Sequence, residues 1–210
     1  MNSLELIAIL VVILFSMVLH ELAHGYVAFW LGDTTAKESG RLTLNPAKHL
    51  DPFMSILLPV LLYISGGPVF GGAKPVPINT YNLKYKEWGF ALVALAGPMM
   101  NFVLALIGFL IGFWTGWWFD GGFLGTCCQN FVVVNIGFGV FNLIPIPPLD
   151  GSRLLYAVAP DQVRNILENI EQWGFWLILV LVCIFGTALS SIMVSAMNGI
   201  LSGFYWLVGL

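Results

Sequence analysis

"FSMVLHELAHGYVAFW" occupies Phe15–Trp30 of the 210-residue chain. It sets His20, Glu21 and His24 inside an apolar run that extends from about Leu6 to Leu31. That run is long enough to cross a bilayer as one helix. A charged side chain at the centre of such a helix costs about 2.5–3.5 kcal/mol on insertion scales. Polar groups persist there when they face protein and act on something. The stretch therefore reads as a membrane helix with a chemical site on one side.

Composition agrees. Hydrophobic residues make up 59% of the chain and charged residues 9%, against about 25% charged in a soluble domain. Mean hydropathy is +0.89. The net charge of −3 comes with no basic patch, which argues against nucleic acid as a partner. Cys127, Cys128 and Cys183 lie in apolar surroundings without disulfide spacing and read as buried membrane residues. No basic segment or small-residue cleavage site accompanies the first apolar run, so it is expected to remain as a span.

Working outward gives an all-α polytopic membrane protein, a bundle of about five transmembrane helices. A polar connector follows at 32–52. An apolar run of awkward length, 53–70, is broken by Gly66, Gly67 and Pro68, and a turn-rich polar segment covers 71–87. Spans are expected near 88–118, with a break at Pro98, and near 124–146. A polar surface helix is expected over 160–172. Residues 174–210 carry no charge and exceed one perpendicular span at 1.5 Å per residue; they read as two spans. The chain is expected to be a single membrane-embedded domain, 1–210, with its core at about 10–160.

The basic residues are Lys37, Arg41, Lys48, Lys74, Lys84, Lys86, Arg153 and Arg164. With the N-terminus outside, and with 53–70 dipping in and returning, all eight lie on the cytoplasmic side, as the positive-inside rule requires. One crossing by 53–70 would split them. A re-entrant, partly extended segment near 53–80 is therefore expected, which membranes tolerate where protein covers the backbone.

His20 and His24 stand at i and i+4, on one helical face, and both can ligate one metal ion. Glu21 is rotated about 100° from His20, placed to approach a water without ligating the metal. A catalytic zinc keeps three protein ligands and one open position. Asp150 in "IPIPPLDG" is the candidate third ligand. It follows a proline-broken span, with Gly151 permitting a tight turn, and the topology above brings it to the HELAH end of the bundle.

Four motifs in this order, "HELAH", "GGAKPVPIN", "ALAGPMMN" and "NLIPIPPLDGSR", resemble the site-2 protease family of intramembrane metalloproteases. The resemblance covers about residues 10–160. It implies one Zn²⁺ per chain on His20, His24 and Asp150, with Glu21 catalytic. It also implies hydrolysis of membrane-spanning protein or peptide substrates by zinc-activated water, with Glu21 as general base. Larger members carry PDZ or CBS domains, and this chain resembles the minimal form. The expected location is an integral, multi-pass protein of the cell membrane, its active-site side toward the cytoplasm.

Lesser residues carry paired readings. Asn142 is an oxyanion or substrate contact, or interhelical glue. Pro145, Pro147 and Pro148 hold extended backbone for pairing with an unwound substrate strand, or are merely kinks. Asn101 reads as glue or backbone satisfaction at the Pro98 break, and His49 as a loop-ordering residue rather than an alternative ligand or gate. Trp114, Trp117 and Trp118 read as an interfacial belt. The rival class is a transporter or channel using the His/Glu/Asp cluster as a proton or metal pathway. It lacks the repeated halves such folds show.

Overall fold

The computed structural model describes residues 3–57, 64 and 72–210. Its principal helices are α1 (Ser3–Trp30), α2 (Thr35–Glu38), α3 (Lys86–Thr115), α4 (Phe123–Asn142), α5 (Gly151–Val158), α6 (Asp161–Glu171) and α7 (Phe175–Leu207). No strand occurs among the described residues. Four described helices, α1, α3, α4 and α7, are long and apolar enough to cross a membrane. The molecule is an all-α membrane protein.

The C-terminal stretch corrects the sequence reading. It is one unbroken helix of 33 residues, not two spans. It contains no proline, and its isolated glycines do not stop it. Its length of about 50 Å exceeds a hydrocarbon core of about 30 Å, an excess that tilt or protruding ends absorb. Its first half exposes Trp176, Val180, Ile184 and Phe185. Farther along, Met197, Ile200, Leu201, Phe204 and Tyr205 pack on Phe109, Val132 and Ile136 of α3 and α4.

Trp118 also departs from expectation. It is buried against Phe109, and its Nε1 donates to Tyr205 Oη at 2.7 Å. It anchors α7 to the core, whereas Trp114 is exposed as a belt residue would be. Cys127 and Cys128 are partly buried in α4 and Cys183 lies on the outer face of α7, both candidate spans; all three are free thiols.

Most of the 53–70 segment lies outside the described residues; Pro52–Leu57 form a short π-helical turn. The chain on either side is informative. Lys74 N–H donates to His49 O at 2.9 Å, and Ser55 Oγ donates to Gly72 O at 2.6 Å. Residues 49–55 and 72–74 thus lie side by side. Lys84 N–H likewise donates to Leu31 O at 2.9 Å, so the end of α1 adjoins the start of α3. Residues 72–79 run between them as irregular chain without ladder partners.

Asp33 ties this end together. It is fully buried, and its carboxylate accepts from Thr35 Oγ1 and N–H and from Asn79 N–H at 2.7 Å. Burial alone would raise its pKa. The hydrogen bonds from Thr35 and Asn79, with help from Asn82, outweigh this and hold it below 3.8.

Candidate metal centre

Helix α1 buries His20 and His24 one turn apart, about 15 and 9 Å from its C-terminal end. Helix α3 crosses them at Gly97. A Cβ there would lie 2.4 Å from His24 Nε2 and 2.6 Å from His20 Cε1, so even alanine would enter the imidazole space. Helix α4 ends at Asn142, and the following loop carries Asp150 to the same point. Gly151 opens α5 beside that loop; its Cβ would stand 2.2 Å from Leu143 O. Glycine is required there by space, not by a left-handed backbone, since its φ is not positive. That replaces the tight-turn reason expected from sequence.

His20 Nε2 and His24 Nε2 are 3.0 Å apart, and Asp150 Oδ2 lies 3.2 and 3.4 Å from them. The other ring nitrogens point outward. His24 Nδ1 meets Val93 O at 2.7 Å, and His20 Nδ1 meets Asn101 Oδ1 at 2.6 Å. A neutral imidazole has one N–H, and each ring spends it on these acceptors. Both Nε2 atoms therefore present lone pairs toward a carboxylate oxygen that is buried and without a hydrogen-bond partner. Three converging acceptors repel one another unless a cation sits among them. Two imidazoles and one carboxylate are a donor set suited to zinc with an open position, so the residues present fit the metal.

Glu21 borders the same cavity of about 330 Å³, together with Ile78, Phe90, Asn142, Pro148 and Arg153. Its Oε2 accepts from Val76 N–H at 2.8 Å, which links the 72–79 segment to the site. Asn142 lines the cavity and donates one N–H to Phe138 O of its own helix, not to a neighbour. Pro148 is a wall of the cavity and Pro145 and Pro147 are not; all three lie in bends or turns closed by Ile146 N–H to Ile144 O and Leu149 N–H to Ile146 O, not in the extended backbone expected of them. His49 stands apart from the cluster. It is buried and donates from Nε2 to Thr43 O, ordering its loop.

Sequence reasoning passed over Asn135 and assigned Asn101 to glue. Asn101 does bridge helices, and its partners are specific: it bonds His20 of α1 directly, and Asn135 of α4 supports it. The signal was present: Asn101 stands four residues after Gly97, on the face of α3 that meets the histidines.

A polytopic helical bundle with HExxH on one span and a distal aspartate against it defines the class of intramembrane metalloproteases. The family comparison gives the same answer. The model of peptidase family M50, the site-2 proteases, matches residues 8–117 and 119–186, and the chain belongs to that family. It is a zinc metalloprotease of the membrane. It is similar to "Putative zinc metalloprotease YwhC" of Bacillus subtilis, with 40% identity over 82% of this chain and 78% of the relative. It is also similar to "Putative zinc metalloprotease Rip2" of Mycolicibacterium smegmatis, at 36% over 80% of this chain and 63% of the relative. A "Zinc metalloprotease" of Methanocaldococcus jannaschii is 28% identical over 75% of this chain and 36% of its own length. No solved structure matches significantly.

Proposed function

We propose that the chain is a single membrane-embedded protease unit that hydrolyses peptide bonds of membrane-spanning substrates, with His20, His24 and Asp150 as zinc ligands and Glu21 as general base. The observation that carries this is the convergence of two imidazole nitrogens and one carboxylate oxygen at a cavity that Glu21 also borders. When bound, zinc supplies Lewis acidity, polarising the scissile carbonyl and acidifying water. Val76 N–H holds one oxygen of Glu21, which leaves the other to take the proton of the attacking water and return it to the leaving amine. Asn142 keeps a second amide N–H for the developing oxyanion. Pro75, Val76 and Ile78 line the cavity on irregular chain that offers a backbone edge to an unwound substrate. The bias of basic residues toward 32–87 and 149–172 supports a site on the cytoplasmic side of the cell membrane.

The test is Glu21→Gln, which keeps size and removes basicity. Purified protein in detergent or liposomes is assayed on a panel of membrane-spanning peptides, with zinc content measured in parallel. Zinc should stay bound and cleavage should fall about 10²–10⁴-fold. Equal cleavage by variant and wild type removes Glu21 from the mechanism. No cleavage by wild type, with metal or proton flux across liposomes, favours the transporter.

A further inference from the structure

We propose that Asn101 and Asn135 form a relay that fixes the His20 proton on Nδ1, so that Nε2 is left free for the metal. The inference rests on His20 being a ligand.

The polarity of the relay is set at its far end. Phe131 O is a backbone carbonyl of α4 and can only accept. Asn135 must therefore turn Nδ2 toward it, at 2.8 Å. Its Oδ1 then faces α3 and requires a donor, which Asn101 Nδ2 supplies at 3.0 Å. That leaves Asn101 Oδ1 toward His20 Nδ1, at 2.6 Å. An acceptor there requires an N–H on the ring. Reversing either amide would set donor against donor or acceptor against acceptor. Both asparagines are fully buried and His20 is 8% exposed, so water is poorly placed to repair a reversed link.

The relay has a task because histidine in water favours the opposite tautomer, with the proton on Nε2. A proton there would point among the three site atoms and block one ligand position. His24 solves the same problem with a backbone carbonyl, Val93 O. His20 depends on a side-chain chain that crosses from α1 through α3 to α4. Asn101 and Asn135 are thus positioning residues, acting on the metal through His20. Loss of such outer partners typically costs about 10–100-fold in metal affinity.

The chain has three histidines, so ¹⁵N-histidine labelling gives a readable spectrum of the metal-free protein in detergent. His20 and His24 should carry the proton on Nδ1. His49, which donates from Nε2 to Thr43 O, should carry it on Nε2 and serve as the internal contrast. Asn101→Leu should move the His20 proton to Nε2 and weaken zinc binding about 10–100-fold. Asn101→Asp, which keeps the acceptor, should retain the Nδ1 proton. If the wild-type His20 proton sits on Nε2, the relay is refuted, and this measurement needs no variant to fold. Unchanged zinc affinity in folded Asn101→Leu refutes it as well. His20→Ala separates the two readings. Zinc retained at wild-type affinity there overturns His20 as ligand, whereas zinc lost there with a wrong tautomer in wild type overturns the relay alone.

Discussion

Asp33 shows how much a single residue outside the metal centre holds. It sits just beyond α1 and bonds Thr35 on one side and Asn79 on the other. Its carboxyl is held below 3.8 in the folded protein. A depressed folded pKa contributes stability that is fully present above the unfolded value and is lost as pH falls through the folded one. Unfolding measured in detergent from neutral to acid pH should therefore show a stability loss that begins below about pH 4 to 5. In Asp33→Asn the protein should be less stable at neutral pH, and this part of the acid limb should flatten. An unchanged acid limb would falsify the assignment. Asp33 was hidden in the sequence because aspartate after a helix usually marks a solvated turn. Thr35 is a local donor, but the donors from Asn79 and Asn82 come from more than 40 positions away. The role of Asn101 toward His20 was hidden for a related reason: an asparagine in a span announces a hydrogen bond between helices, but not its partner. His20, Glu21, His24 and Asp150 were legible because their chemistry needs fixed residue types at fixed spacing.

At the scale of elements, α3 and α4 meet through glycines that admit large side chains. A Cβ at Gly108 would strike Phe131 at 2.6 Å, one at Gly112 would strike Cys128 Sγ at 2.3 Å, and one at Gly139 would strike Phe102 at 2.4 Å. Membrane helices associate through such close packing, because lipid gives no hydrophobic drive between them. Two glycines of α4 make the point testable. Gly139 faces Phe102, whereas at Gly137 a Cβ would meet only Met197 Cε at an ordinary 3.6 Å. Gly139→Ala should destabilise by about 1–3 kcal/mol through overpacking. Gly137→Ala should be neutral or gain up to about 1 kcal/mol from the lost freedom of glycine. Unfolding by denaturing detergent reads both, and equal effects would count against this helix contact. Helix identities and most spans were legible from apolar length. The single C-terminal helix was not, because length alone does not distinguish one long helix from two short ones. Nor was the close face of each helix, since a glycine pattern does not say which neighbour fills it.

For the whole molecule, the question is which end of the bundle carries charge. Arg41 donates to Lys74 O, Lys84 adjoins Leu31, Arg153 lies over Phe90, and Arg164 pairs with Glu87 at 3.8 Å. These contacts gather basic residues from Arg41 to Arg164 at the end where α1 finishes and α3 begins. The sequence argument reached the same grouping from charge bias alone, by requiring 53–70 to return to its starting side. The hydrogen bonds from Lys74 to His49 and from Ser55 to Gly72 join the described residues that flank that segment. The expected outcome concerns side and not stability. After Cys127, Cys128 and Cys183 are replaced, single cysteines at Lys37, Lys74 and Arg164 should react with a membrane-impermeant reagent from one common face, and one at Gly121 from the other. The positive-inside rule makes the common face cytoplasmic, so in intact cells the first three should be protected and Gly121 labelled. If Lys74 reacts from the side opposite Lys37, that pairing is broken and the bundle described here is wrong. If all three share a face but label from outside, the bundle stands and its orientation reverses, which would present the metal cavity to substrates from the other side of the membrane.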